Sequence, residues 1–430
     1  METKIFDYGM NGEGVAKIDG KIVLINNALI DEIVDVEIIE DNRTYSVGKA
    51  NKIISESNKR TTPSCPYFYE CGGCDLQHME YLEQLNFKSL NVQKTIKKIT
   101  GLEVEVNNTV GCSSPFGYRN KMSFSVSNSS CGLLKLNSKD VVDIAYCPLA
   151  QPNINKILTI FKKFININKC DCIKNLVIRE IENQILVGVV SSKHIDLKYF
   201  FSSLSQHFNN IGLYEIINTR HDSVVLSGKV SHVGGIKVIK IETKHNFSTN
   251  NLTYSVDLLG FHQTNIEIQN KLYQHVLEYI SPNSIVINGF SGQGLLSAIL
   301  ATKAKFVTGI EINKSSHISA EQLKKQNNIQ NLKNICGDFF KHIKSEIKNA
   351  NTIILDPTKK GCGRQVMNEI NGIENIIYIS CNPIALSKDL NVIKNDYMIE
   401  EITPFDMFPN TTNVETLVKL KKRHVERSAT

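Results

Sequence analysis

Two cysteine-bearing stretches, a glycine-rich turn and a few acids are the residues of this chain whose types and spacing suit chemistry. The run IIYIS reads as a short strand and leads straight into Cys381-Asn382-Pro383. A thiol there is held at the end of a sheet instead of inside it, and the proline restricts the turn that follows. A thiolate is nucleophilic, and its pKa responds to its surroundings. A bare cysteine is by default a buried apolar residue; its place after a late strand marks Cys381 as a candidate nucleophile. Asp356-Pro357 ends another apolar run and is expected in the same region. Glu415, in FPNTTNVETLV, stands beside an apolar run, where a carboxylate can serve as a base.

The second group reads as a cofactor site. Ser284 to Asn288 form a strand-like run, followed by Gly289-Phe290-Ser291-Gly292-Gln293-Gly294 and the helical run LLSAILA. Glycines let the backbone turn tightly and approach a ligand closely. The loop departs from the dinucleotide fingerprint GxGxxG. The next strand-like run, FVTGI, ends in Glu311, about twenty residues on, where a carboxylate can accept hydrogen bonds from ribose hydroxyls. Asp338, in CGDFF, stands where a third strand would end. The three signals together favour an adenosyl cofactor.

The third group is Cys65, Cys71 and Cys74, spaced C-x5-C-x2-C. Cys147, in YCPLA, is the natural fourth ligand. Zinc and iron–sulfur clusters both accept four cysteines, and spacing does not choose between them. In a reducing compartment the eleven cysteines are not a disulfide framework. Cys112, Cys131, Cys170, Cys172, Cys336 and Cys362 are read as packing residues.

Three zones must position these groups. Residues 1–55 alternate short β-rich runs with glycine turns at Gly12, Gly14 and Gly20, the pattern of a small OB-type β-barrel. A β module that only packs on its neighbours fits the same pattern. Residues 56–255 are mixed α/β, with YLEQLNFKSLNVQKTIKKIT as an amphipathic helix and no legible topology. Residues 256–430 alternate strands and helices, which predicts a doubly wound, largely parallel sheet. Ligands bind such sheets at the carboxyl ends of the strands, where the acids and Cys381 fall.

The whole composition is ordinary for a folded protein, with 41% hydrophobic and 21% charged residues, which excludes a wholly disordered chain. No apolar run is long enough to span a membrane, and the N-terminus lacks a signal-peptide layout. A cytoplasmic, monomeric protein with no membrane partner is expected. The net charge of +6 permits a polyanionic partner without demanding one.

These motifs resemble the S-adenosylmethionine-dependent RNA uracil-C5 methyltransferases over nearly the whole chain. The N-terminal zone is similar to a TRAM domain, an OB-type RNA-binding module. CPYFYECGGCDLQH with Cys147 resembles the family's [4Fe–4S] site, which moves the metal reading from zinc to iron–sulfur on Cys65, Cys71, Cys74 and Cys147. FHQTN resembles the cofactor-contacting segment and implies Gln263 as a ligand; SCNPIALSKDL and DMFPNTTNVE resemble the two most specific motifs and imply Cys381 as nucleophile and Glu415 as base. Phe290, Glu311, Asp338 and Asp356 carry over as cofactor or substrate contacts. GYRNK, with Arg119 and Lys121, resembles a segment of the central RNA-binding domain.

The resemblance implies methyl transfer to C5 of a uridine in 23S ribosomal RNA through a cysteine adduct at C6. A transfer-RNA uracil methyltransferase and a catalytically weakened RNA-binding paralogue are the alternatives. The chain departs from the family pattern at several positions. It has Thr358-Lys359 after Asp356-Pro357 where DPPR is usual, Asn410 and Asn413 where His is frequent, Ser291 for Cys, and Leu295 for Asn.

Overall fold

The computed structural model describes residues 1–423 apart from 128, 169, 221, 223 and 244–250. At the N-terminus lie strands β1 (Glu2–Lys4), β2 (Asp7–Tyr8), β3 (Gly14–Ile18), β4 (Lys21–Asn26), β5 (Ile33–Asp41) and β6 (Tyr45–Ser55). Burial alternates along much of these strands, as a period of two requires, and Ile5, Ala16, Val23, Ile25, Val34 and Val36 form the inner face. The pairing order is β1-β5-β6-β4-β3-β2. The segment 2–8 is broken at Ile5–Phe6, so that β1 pairs with β5 and β2 with β3. The ladders therefore make a six-stranded sheet, and a closing ladder for the expected barrel is not among those of the described residues.

The middle of the chain forms a second sheet. Its strands are β7 (Lys121–Ser127), β8 (Ser130–Leu134), β9 (Val141–Asp143), β10 (Ile173–Ile181), β11 (Gln184–Ser191), β12 (Ile211–Ile217) and β13 (Lys229–Gly235), in the order β13-β12-β11-β10-β7-β8-β9. β14 (Ile239–Glu242) and β15 (Thr253–Val256) pair separately. One face of the second sheet is covered by helices α2 (Pro152–Asn168) and α3 (Lys198–Ser205), through Phe161, Phe164 and Phe200.

The C-terminal part is the predicted doubly wound sheet. β16 (Ile285–Gly289), β17 (Phe306–Glu311), β18 (Leu332–Cys336), β19 (Thr352–Leu355) and β20 (Asn375–Ser380) are parallel. β21 (Tyr397–Phe405) and β22 (Glu415–Lys422) complete the order β18-β17-β16-β19-β20-β22-β21, with β22 antiparallel to both neighbours. All four residues of β19 and five of the six in β20 are buried, because helices cover both faces. The remaining helices are α1 (Tyr81–Thr100), α4 (Ile266–Glu278), α5 (Leu295–Ala301), α6 (Lys314–Gln326), α7 (Phe339–Glu346), α8 (Arg364–Glu369) and α9 (Pro383–Ile393).

The cores cross the zones read from the sequence. Val92 and Ile96 of α1 share a core with Leu386, Leu390 and Ile393 of α9 and with Ile402 of β21. Asn107 and Val110 donate backbone hydrogen bonds to Ile402 and Pro404, so the chain after α1 runs along the sheet edge. The other face of the C-terminal sheet shares one core with Val177, Leu186 and Ile216 of the second sheet, bridged by β14, β15 and α4. Among the described residues no helix is long and apolar enough to cross a membrane.

Candidate active site

Register alone brings the key residues level. Gly289 pairs with Ile310 and with Leu355, so the residues that follow, Phe290, Glu311 and Asp356, leave three adjacent strands at one height. Ser380 of β20 pairs with Thr416 of β22, and the strands are antiparallel. The next position on β20 is Cys381 and the preceding one on β22 is Glu415, so thiol and carboxyl meet at the same end of the sheet. Thirty-four positions separate them in the chain.

A cavity of about 820 Å³ opens there. Gln263, Phe290, Glu311, Asp356, Cys381 and Glu415 all line it. Asp338 does not. Its carboxylate accepts from the Lys341 backbone N–H as the N-cap of α7, and it lines a neighbouring recess of about 550 Å³. Phe290 borders both spaces and packs on Phe339, with ring centroids 5.0 Å apart.

The cofactor side is built by the turn after β16. Phe290 sits at φ 61°, and Gly292 and Gly294 are also left-handed. A side chain at Gly294 would meet Ala320 at 2.7 Å, so the turn needs glycine there. Glu311 accepts from the backbone N–H of Gly292 at 2.9 Å and of Asn313 at 2.6 Å. A carboxylate has about four acceptor positions, so two remain for vicinal hydroxyls. This wall, with Leu295 and Leu296 beside it, fits an adenosyl group: apolar surface for a base and a fixed carboxylate for a ribose.

The reacting side is set by α9. Asn382 caps the helix, accepting from the Ile384 N–H at 3.1 Å, and Pro383 occupies its first turn, where a missing N–H costs nothing. Cys381 is thereby fixed just before a helix N-terminus, whose partial positive charge favours a thiolate. Asp389 of the same helix accepts from Tyr378 Oη at 2.6 Å and from the N–H groups of Cys362 and Gly363, which pins the loop after Asp356. The Asn382 amide also donates to the Lys359 carbonyl at 2.9 Å, joining the two loops.

Charge is costly in this end of the cavity. Burial pushes the Asp356 carboxyl up to about 7. Burial, then the charge of Asp356, holds Glu415 well above the usual carboxylate range. Two carboxyls so close cannot both ionise cheaply, so the pair retains a proton near neutrality. Burial and the charge of Glu415 raise the Cys381 thiol to about 11, while Lys359 acts in the opposite direction.

The metal expectation fares differently. Cys65, Cys71, Cys74 and Cys147 line one recess of about 250 Å³. Among the described residues, however, no group of three or more His, Cys, Asp or Glu side chains is arranged to hold a metal ion. Burial raises all four, most strongly Cys74, to about 12. Gly72, Gly73 and Arg119 line both this recess and the main cavity.

Several cavity residues were not singled out from the sequence. Phe408 and Thr411 come from the loop before Glu415, and Tyr254, Gln269 and Tyr273 from the β15 and α4 region. Their types carry no chemical signal. Asn413, noted only as a departure from the family pattern, also lines the cavity.

Residues 80–423 match the family described as tRNA (uracil-5-)-methyltransferase, and residues 2–50 match the TRAM domain. The chain belongs to the RNA uracil-5-methyltransferase family. It is 31% identical over 442 aligned positions to an uncharacterized RNA methyltransferase of Clostridium tetani, covering 96% of this chain and 94% of the relative. A Clostridium acetobutylicum relative, also described as an uncharacterized RNA methyltransferase, is 31% identical over 98% of this chain and 96% of its own. The fold is similar to that of Pyrococcus abyssi tRNA (uracil-54, C5)-methyltransferase in complex with S-adenosyl-L-homocysteine. That similarity has a TM-score of 0.77 and 25% identity, and it covers 98% of this chain and all of that one. This uracil-5-methyltransferase is thus an S-adenosylmethionine-dependent enzyme with a Rossmann-like core and a strand-rich TRAM module.

Proposed function

We propose that this methyltransferase modifies C5 of a uridine in 23S ribosomal RNA through a covalent adduct between Cys381 and C6 of the base. The apposition of the Cys381 thiol and the Glu415 carboxyl in one cavity supports the covalent route most directly, and the ribosomal target rests on the resemblance of the cysteine-rich stretch and the TRAM module. Uracil C5 is a poor nucleophile. Addition of the Cys381 thiolate to C6 moves the C5=C6 electrons into an enolate and makes C5 reactive toward a methyl donor. The cofactor supplies the methyl group as an electrophilic sulfonium and leaves as S-adenosylhomocysteine. With the proton of the buried pair held by Asp356, Glu415 as carboxylate then takes the C5 proton. The C5–H electrons restore C5=C6, the C6–S bond breaks, and the Cys381 thiolate is regenerated.

The other residues fall into roles around this sequence. Gln263, Phe290 and Glu311 hold the cofactor, and Asp338 shapes the recess behind Phe290. Asp356, expected as a cofactor or substrate contact, is assigned to the base, since its charge acts on Glu415 and Cys381. A carboxyl with its pKa near neutrality can donate to a uracil carbonyl or accept from N3–H. The target must be unpaired or flipped, because a stacked base cannot offer C6 to a thiol. Arg119 and Lys121 are read as contacts that orient the RNA.

We read the N-terminal module as an OB-type barrel, with the segment 2–8 serving both edges. The cysteine recess is assigned to a [4Fe–4S] cluster on Cys65, Cys71, Cys74 and Cys147. All four line one recess, and zinc and a cluster both take four cysteines, so the choice of a cluster rests on the resemblance of the cysteine-rich stretch. Such a cluster would hold the loop 65–79 beside the cavity.

The transfer-RNA reading is favoured by the likeness to the Pyrococcus tRNA enzyme. The two are separated by incubating the protein and labelled cofactor with unmodified 23S rRNA and tRNA transcripts. The ribosomal reading predicts 5-methyluridine in 23S rRNA alone; label only in tRNA overturns it.

A further inference from the structure

The loop between β21 and β22 carries Phe408, Thr411 and Asn413 to the cavity and leads into Glu415, the first residue of β22. It has little regular structure, so its position depends on what grips it. Three separate segments do, and a fourth comes close. Lys88 of α1, fully buried, pairs with Asp406 at 2.5 Å and donates to the Phe408 carbonyl at 3.1 Å. Asp75, beside the cysteine triad, accepts from the Thr412 N–H at 3.1 Å. Tyr118 Oη donates to the Pro409 carbonyl at 3.2 Å. Gly12 of the TRAM module lies where a Cβ would meet Leu76 at 2.7 Å and Thr412 at 3.4 Å.

Asn410 is the point where these grips converge. Its carbonyl accepts from the N–H groups of Asp75 at 3.0 Å and Leu76 at 3.1 Å. Its own N–H donates to Gln84 Oε1 at 2.9 Å, and its Oδ1 accepts from Gln84 Nε2 at 3.2 Å. Its Nδ2 donates to the Pro115 carbonyl at 2.7 Å. One buried residue thus ties the loop to the cysteine-rich segment, to α1 and to the segment before β7. It sits at φ 67°, a left-handed conformation that asparagine adopts more readily than most residues. The side chain is 2% exposed, so water does not substitute for these partners.

We propose that Asn410 is a positioning residue for the general base: by clamping the loop to three other segments it fixes the Glu415 carboxyl against the C5 proton of the adduct. The inference rests on the reading of Glu415 as base and deepens it. Proton removal is the step after methyl transfer, so a misplaced base stalls the enzyme with the RNA still bonded to Cys381. A residue that merely stabilised the fold would not single out that step.

Two variants test this. Asn410→Gly keeps the left-handed backbone and the main-chain hydrogen bonds while removing the amide. Gln84→Leu removes the partner on α1 and leaves the loop sequence intact. Both are compared with the wild type on an in vitro transcript that the wild type methylates. The readouts are kcat, the cofactor KM, and covalent protein–RNA adduct on denaturing gels. Both variants are expected to lose about tenfold in kcat, keep the cofactor KM within about twofold, and accumulate adduct on ordinary uridine RNA. Adduct with 5-fluorouridine RNA, which needs no proton removal, is expected at the wild-type rate. Wild-type kcat in both, or a lower kcat with no accumulated adduct in a variant that melts like the wild type, overturns the proposal. If Asn410→Gly fails to fold, Gln84→Leu alone decides. Glu415→Gln in the same assay separates the two readings. If it turns over normally, the base assignment is at fault; if it stalls as adduct while the other two do not, only the positioning role falls.

Discussion

Cys381 is asked to be a thiolate in a place that resists one. Burial and the nearby carboxyls raise its pKa to about 11, and Lys359 is the charged side chain that opposes them. At neutral pH only a small fraction is then ionised, so the rate should climb with pH as the thiolate fraction grows. Each pKa unit is worth a factor of ten in that fraction. Replacing Lys359 by Met removes the opposing charge. The variant should be about tenfold slower at pH 7.5, with its rise displaced to higher pH, and Lys359→Arg should restore both. A pH–rate profile for the three proteins checks this. Asp356 gives a stability counterpart. Its pKa is raised in the folded chain, so the folded state binds a proton that the unfolded state has released. The stability that this proton brings is complete below pH 4 and is lost as pH climbs towards 7. Asp356→Asn abolishes that loss. Its melting temperature should gain roughly 2 °C or more on the wild type between pH 5 and pH 8, measured by thermal unfolding across the range.

At the scale of elements, the catalytic sheet was the most legible part of the sequence. The runs ending at Asn288, Glu311 and Ser380 appear as strands ending within a residue of those positions, because each is a short buried run bounded by polar turns. The expected meeting of Asp356 and Cys381 at the strand ends follows from parallel pairing, which the alternation of strands and helices already implies. The level pairing of Cys381 with Glu415 was not readable. It depends on β22 inserting antiparallel between β20 and β21, and no local pattern encodes which neighbour a strand will choose. The amphipathic spacing of α1 announced a buried face but not its partner, which is α9 in the C-terminal part of the chain. Asp389 illustrates a motif residue whose role only packing reveals. It holds Tyr378, Cys362 and Gly363 and so joins α9 to the loop after β19. Asp389→Ala leaves three donors without that acceptor, and should cost about 2–4 kcal/mol of stability by denaturant unfolding.

For the molecule as a whole, the zones drawn from the sequence are not independent bodies. The TRAM module shares a small core with the cysteine-rich loop and α1, through Tyr8, Leu29, Leu76, Met79 and Phe87. The second sheet shares its core with the methyltransferase sheet. This convergence explains why the loop before Glu415 is held by the central zone as well as by its own, and why composition alone, which sees zones only as changes in residue usage, could not show it. Gly12 of the TRAM module faces Leu76 and Thr412 with no side chain between them. Gly12→Val puts a branched side chain at a left-handed φ of 80° and against Leu76 and Thr412. Methylation should fall several-fold while the cofactor affinity, assigned above to Gln263, Phe290 and Glu311, stays within about twofold by calorimetry.

The most direct test of the chemistry is to incubate the protein with cofactor and 5-fluorouridine RNA, digest it, and map the adduct by mass spectrometry. Fluorine at C5 cannot leave as a proton, so the enzyme should stop with methylated base bonded to the peptide that contains Cys381, and Cys381→Ala should give no adduct. A Cys381→Ala protein that still methylates ordinary uridine RNA at the wild-type rate, or an adduct on another residue, would contradict the account.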